Sequence, residues 1–159
     1  MHKMLKVAFS LVAVAALCHA QEPKSTHVAL GPGEVKWGPP PPSLSKGAQF
    51  AVLSGDPTMP GSFVIRLKFP AGYKVAPHWH PTDEHVTVLS GTMALGMGEK
   101  FDPSKMKNLS AGSFAVLPAE MRHFAMAKTA ATIQVHGMGP FVLNYVNPAD
   151  DPSKANAAK

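Results

Sequence analysis

The sequence is short of cysteine, of charge and of long apolar runs, and each shortage removes a class of function. Its single cysteine, Cys18, lies in the opening stretch "MHKMLKVAFSLVAVAALCHA". That stretch has Lys3 and Lys6, an apolar run from Val7 to Leu17, and the small-residue end Cys18-His19-Ala20. A basic start, a short apolar middle and a small-residue cleavage site are the marks of a secretory signal peptide. A membrane-crossing helix needs about 20 apolar residues, more than this run supplies. We therefore expect a signal peptide over residues 1–20, cut after Ala20, and a periplasmic or secreted protein with no stable membrane insertion afterwards. An uncleaved anchor is the alternative reading. A lipoprotein site at Cys18 is disfavoured, because bulky Leu17 precedes it.

After such a cut no cysteine remains, which excludes disulfides, thiol catalysis and thiolate metal ligands. About 139 residues are left, enough for one domain with a sizeable core. Charged residues make up only 16% of the chain, and the formal net charge of +5 falls to +3 without Lys3 and Lys6. No basic cluster interleaved with aromatics is present, so nucleic acid is not an expected partner. There is no Gly-x-Ser-x-Gly, no phosphate-cradling glycine loop and no His-Glu-x-x-His, so nucleophilic and nucleotide chemistry have no support. Nor does any window of a dozen residues after the leader carry a helical period.

What the chain does have is proline, glycine and short strands. Residues 21–47 are rich in Pro, Gly and Ser, and "WGPPPPSL" from Trp37 to Leu44 should be extended polyproline II. Trp37 favours an arm lying across the domain, since a large aromatic gains by being covered. From Gln49 onward short apolar runs alternate with turn signals. Phe63, Ile65, Leu67 and Phe69 alternate with Val64, Arg66 and Lys68, the period of a half-buried strand. Eight to ten such strands imply an all-β sandwich or barrel. The tail at 148–159 has no apolar periodicity and should fray.

The chemistry-bearing segment is "GYKVAPHWHPTDEHVTVLSG", Gly72 to Gly91. His78 and His80 are two apart, so on a strand they share a face about 6.5–7 Å apart along the chain. Two imidazoles at that spacing can converge on one ion, with metal–nitrogen bonds of about 2.0–2.1 Å. Glu84 is again an even step away, but Pro81 interrupts and parity cannot place it. Taken by itself, His-x-His is as readily an ordinary surface pair. His123, in another strand pattern some forty residues on, strengthens the case if the sheet closes on itself. Three imidazoles and one carboxylate suit divalent Fe, Mn, Co, Ni, Cu or Zn, and do not suit Ca or Mg.

At this point the residues resemble a known family. The spacing Gly72-x5-His78-x-His80-x3-Glu84-x6-Gly91 matches the first cupin motif at every fixed position. Gly112, Pro118 and His123 fit the second motif, with Glu120 where glycine is usual and Ala127 where asparagine is usual. The resemblance covers roughly residues 48–147 and implies a cupin-type jelly-roll β-barrel there, a single domain preceded by the signal peptide and the Pro-rich arm. It also implies His78, His80, Glu84 and His123 as metal ligands inside the barrel. Gly72 and Gly91 flank the ligand-bearing segment, where φ is expected to be positive.

Other residues carry open alternatives. His85 should face away from Glu84, as a structural or exposed group. Gln134 and His136 share a face; they orient substrate or a metal-bound water if it is the lumen, and form a satisfied polar pair if it is the outside. Met121 and Ala125 share parity with His123 and are expected on the apolar wall near the metal. Met93, Leu95 and Met97 read as core packing. Phe124 and Met126 oppose His123 in parity and are expected at a homodimer contact or under the arm. Asp83 reads as a solvated loop charge. Two functions fit this pattern. One is a metal-dependent oxidoreductase or isomerase, dioxygenase-like, acting on a small organic substrate. The other is a non-catalytic module that binds a small molecule or only the ion.

Overall fold

The computed structural model describes residues 27–155. The expected signal peptide at residues 1–20 and the end of the tail lie outside the described residues. Ten strands dominate the rest: β1 (Gln49–Ser54), β2 (Gly61–Phe69), β3 (Lys74–Trp79), β4 (Glu84–Ser90), β5 (Thr92–Met97), β6 (Lys107–Ser110), β7 (Phe114–Leu117), β8 (His123–Ala127), β9 (Ala131–Gly139) and β10 (Asn144–Tyr145). They form two five-stranded sheets, ordered β1-β2-β9-β4-β7 and β10-β3-β8-β5-β6, with antiparallel pairing throughout. This is the expected jelly roll.

Period-two patterning decides which faces meet. In β2, Phe63, Ile65, Leu67 and Phe69 are buried while Val64, Arg66 and Lys68 are only half-buried. Ala131, Ile133 and Val135 of β9 do the same beside them. These inner residues join Val75, Val88, Met93 and Leu109 in one apolar cluster between the sheets. Of the three β5 residues expected in the core, Met93 is buried, Leu95 packs at its edge, and Met97 is 48% exposed. The turn between β4 and β5 needs Gly91 at φ +72, where a Cβ would collide with the Ala130 carbonyl.

The arm does lie across the domain. The Lys68 ammonium sits 4.1 Å above the Trp37 ring. Gly38 and Phe50 exchange backbone hydrogen bonds of 2.8 and 3.0 Å, so the arm pairs briefly with β1. Further on, Leu44 is buried, and the Tyr73 and Tyr145 hydroxyls donate to the carbonyls of Ser45 and Ser43 at 2.7 and 2.8 Å. The arm therefore forms part of the barrel wall.

Phe124 corrects one expectation. It is fully buried, with the Phe101 ring 5.1 Å away and Gly96 directly beneath it. The loop between β5 and β6, not a second chain or the arm, covers it.

Candidate metal centre

His78 ends up beside His123 because β3 pairs with β8 in that register. Val75 pairs with Ala125 and His78 with His123, so β3 carries one extra residue between them, a bulge. The bulge lets Val75 and His78, an odd step apart, both line the same interior. His80 follows two residues later, just past the strand, and is likewise buried. Glu84 opens β4 in the opposite sheet, paired with Gly137 and Leu117. The four residues are between 2% and 8% exposed.

The segments that carry them are tied together. Glu120 donates its backbone N–H to the His80 carbonyl at 2.8 Å, and the Ala119 N–H donates to the Asp83 carboxylate at 2.8 Å. Asp83 is thus a structural acceptor that holds the turn leading to His123. Glu120, in the place where the cupin pattern has glycine, takes φ +63, the left-handed geometry glycine would supply.

The rings are oriented by backbone carbonyls. Nδ1 of His78 donates to Ala76 O at 2.7 Å, Nδ1 of His80 to Val142 O at 2.8 Å, and Nδ1 of His123 to Met121 O at 2.9 Å. A carbonyl can only accept, so in a neutral ring the proton belongs on Nδ1 and Nε2 keeps a bare lone pair. One candidate ligand atom from each of the three rings lies within 4.8 Å of the others. Glu84 Oε2 is 3.5 Å from Nε2 of His80 and 3.3 Å from Nε2 of His123. His80 Nε2 is buried and has no hydrogen-bond partner.

Burial sets the charge state. Desolvation, reinforced by the neighbouring His123 and His80, pushes His78 down to about 3. Burial likewise holds His80 below the usual histidine range, with Glu84 opposing. For Glu84 burial works to raise the carboxyl, but the facing His123 ring, with His80 and His78, outweighs it and leaves the group below its ordinary value. At neutral pH the cluster is a carboxylate with His78 and His80 neutral beside it.

These donors fit a cation. An ion at about 2.0–2.2 Å from each ligand holds adjacent donors about 3–3.5 Å apart, and both glutamate–histidine gaps fall at that spacing. The unpartnered Nε2 of His80 faces a buried carboxylate, an arrangement that a cation standing between them would satisfy.

The cluster forms part of the lining of a cavity of about 350 Å³ enclosed by both sheets and the arm. Not every expected pocket residue reaches it. Gln134 and His136 lie on the outer face of β9, where Gln134 accepts from Arg66 Nε at 3.0 Å and His136 stacks on His85 at 4.9 Å. Their shared parity was legible, but the lumen belongs to Ile133 and Val135. His85 faces outward as expected. The Met121 side chain is 39% exposed and outside the cavity; its carbonyl, not its thioether, serves the site by holding His123. Ala125 does line the cavity. The sequence reading missed Phe141, whose ring stacks on His80 at 4.1 Å and 17° and leans on Phe63 at 5.0 Å. Its position in "GPFVLNYV" carries no periodic signal that marks it.

Two packed antiparallel sheets with a histidine cluster set between them define a cupin. More narrowly, the chain belongs to the ChrR Cupin-like domain family, which it matches over residues 25–141. No curated protein matches the sequence. Among solved structures, the polyketide cyclase RemF from Streptomyces resistomycificus superposes with a TM-score of 0.65 at 15% identity, over 83% of this chain and 94% of that one. A candidate acetylacetone dioxygenase from Methylibium petroleiphilum gives 0.61 at 21% identity, over 86% and 96%. An RmlC-like cupin from Shewanella frigidimarina gives 0.56 at 17%, over 72% and 91%. At these identities the likeness is one of fold.

Proposed function

We propose that this chain is an exported metal-binding cupin in which His78, His80, Glu84 and His123 hold one divalent transition metal, and that it is an oxidoreductase of dioxygenase type acting on a small organic molecule in the cavity. Fe, Mn, Co, Ni, Cu and Zn all suit three imidazoles and one carboxylate. The observation that carries the reading is the set of three imidazole rings, each anchored at Nδ1 by a carbonyl, which with one carboxylate share a buried cavity. Export rests on the basic and apolar pattern of residues 1–20.

The chain's own residues do three things. The carbonyls of Ala76, Val142 and Met121 fix the tautomer and aim of each ring, which raises its strength as a ligand. Phe141 packs flat against His80 and limits its rotation. The apolar walls keep bulk water from the ligands, so charges there are felt more strongly. A bound ion would supply Lewis acidity and, for redox-active metals, electron transfer to a bound oxidant.

A second reading, a non-catalytic binding module, is favoured by one observation: among the described residues the buried titratable groups lining the interior are the four proposed ligands, and the remaining lining acid, Asp56, is exposed. Among the described residues no separate proton relay stands beside them. Dioxygen uptake by the purified protein, measured against a panel of neutral phenols and diketones, separates the two. Turnover that chelation abolishes supports the enzyme; bound metal with no uptake on any substrate supports the module.

A further inference from the structure

The distribution of polar groups around the cavity names the kind of molecule it takes. We infer that the cavity binds a neutral, predominantly apolar small molecule whose oxygen-bearing end faces the histidine cluster, an inference that rests on the metal reading above.

Among the described residues, no lysine, arginine, asparagine or glutamine lines the cavity. Its polar groups fall into two sets. The buried set is the histidines and Glu84. The other set is Ser43 of the arm with Asp56 and Thr58 of the β1–β2 loop, of which Asp56 and Thr58 are exposed, so they mark where the cavity meets solvent. Asp56 is already engaged, accepting from the Thr58 N–H at 2.8 Å and its hydroxyl at 2.7 Å. The rest of the wall is aliphatic and aromatic, and includes Leu44 of the arm with Leu67, Leu95 and Ile133 of the barrel.

Three ligand classes are disfavoured by this layout. A carboxylate or phosphate carried away from the metal-facing end would lie among apolar walls where no lysine or arginine of the described residues meets it. A sugar would bury hydroxyls that find no partner along those walls. A cation finds Glu84 as the one buried counter-charge among the described residues, and the proposed ion already engages it. An apolar body gains on the apolar walls, and a single hydroxyl or carbonyl finds its polar partners at the histidine cluster. A volume of about 350 Å³ is at the small end of the roughly 300–1,000 Å³ range of ligand pockets, so the molecule is compact.

The test is displacement of a neutral fluorescent probe, N-phenylnaphthylamine, from the purified protein. Two competitors share a hydroxyphenyl end and differ at the far end: para-pentylphenol, and the hydroxyphenyl pentanoate that carries a carboxylate there. We expect the alkylphenol to displace the probe at a concentration at least about 10-fold lower than the alkanoate, the scale on which an unpaired buried charge is penalised. Leu44→Lys should bring the two competitors within about 3-fold by placing an ammonium in the wall, while Leu44→Met should leave the preference intact. Equal displacement by both competitors, a preference for the alkanoate, or displacement by neither would overturn the inference. Metal content is measured on the same samples. Alkylphenol preference in protein that never holds metal overturns the metal reading and leaves the apolar cavity standing. Bound metal without the preference overturns the cavity inference and leaves the metal reading standing.

Discussion

Oε2 of Glu84 stands 3.3 Å from Nε2 of His123, although β4 and β8 belong to different sheets. The contact bridges the interior of the jelly roll. A cation held by both, with His78 and His80, would fasten the two sheets.

That arrangement predicts a stability gain on loading. Metal at about 100 times its dissociation constant stabilises the fold by about 2.7 kcal/mol. Glu84→Gln removes the only charged ligand and should abolish most of this gain, while the metal-free melting temperature moves little. Thermal melts with and without chelator measure both.

The metal-free protein should lose stability as pH falls. His78 is held down to about 3 when folded, whereas an unfolded histidine takes up its proton near 6.5. The unfolded chain therefore binds more protons between those values, and stability drops on acidification by up to about 1.4 kcal/mol per pH unit for this group. His80 is shifted in the same direction. Glu84, held below its ordinary value, adds a loss of the same sign below about 4.5. Chelated wild type, melted at pH 7, 6, 5 and 4, should show this slope, and His78→Gln should show less of it.

The turn before His123 offers a backbone test. Glu120 holds φ +63 at a cost of about 1–2 kcal/mol for a residue with a Cβ. Glu120→Gly should stabilise the protein by about 0.5–1 kcal/mol, part of the relief being lost to the greater freedom of glycine when unfolded. Gly91→Ala should do the reverse, by more than about 2 kcal/mol, because its Cβ would meet the Ala130 carbonyl. Denaturant unfolding of both variants checks the pair of signs.

The reach of the sequence differed from residue to residue. His78, His80 and His123 were legible because ligand spacing and strand parity agree, and all three are buried together. Glu84 needed the motif resemblance, since the turn at Pro81 breaks its parity with His80. Gln134 and His136 show the limit of periodicity: it groups residues by face but does not say which face is the lumen. Phe124 shows another limit, for its cover, Phe101, comes from a loop with no period. The largest gap concerned the arm. Its lying across the domain was foreseen from Trp37, but its contribution of Pro41, Ser43 and Leu44 to the cavity wall depends on long-range packing that no local pattern encodes.

Two hydroxyls pin that arm, so loosening one should expose it. Tyr145 is half-buried, and burial, with Tyr73, Asp151 and Asp150 nearby, raises its pKa and keeps it a donor to Ser43. Tyr145→Phe should cost about 0.5–1.5 kcal/mol. Tryptic cleavage after exposed Lys46 should quicken accordingly, read by timed digestion and mass spectrometry.

The most direct test of the metal centre is elemental analysis of the protein purified from its producing cells, beside His80→Ala and His123→Ala variants shown by circular dichroism to keep their β-structure. The account predicts roughly one divalent transition-metal ion per chain in the wild type and less than about a tenth of that in either variant. Metal content that stays the same when either imidazole is removed would contradict it.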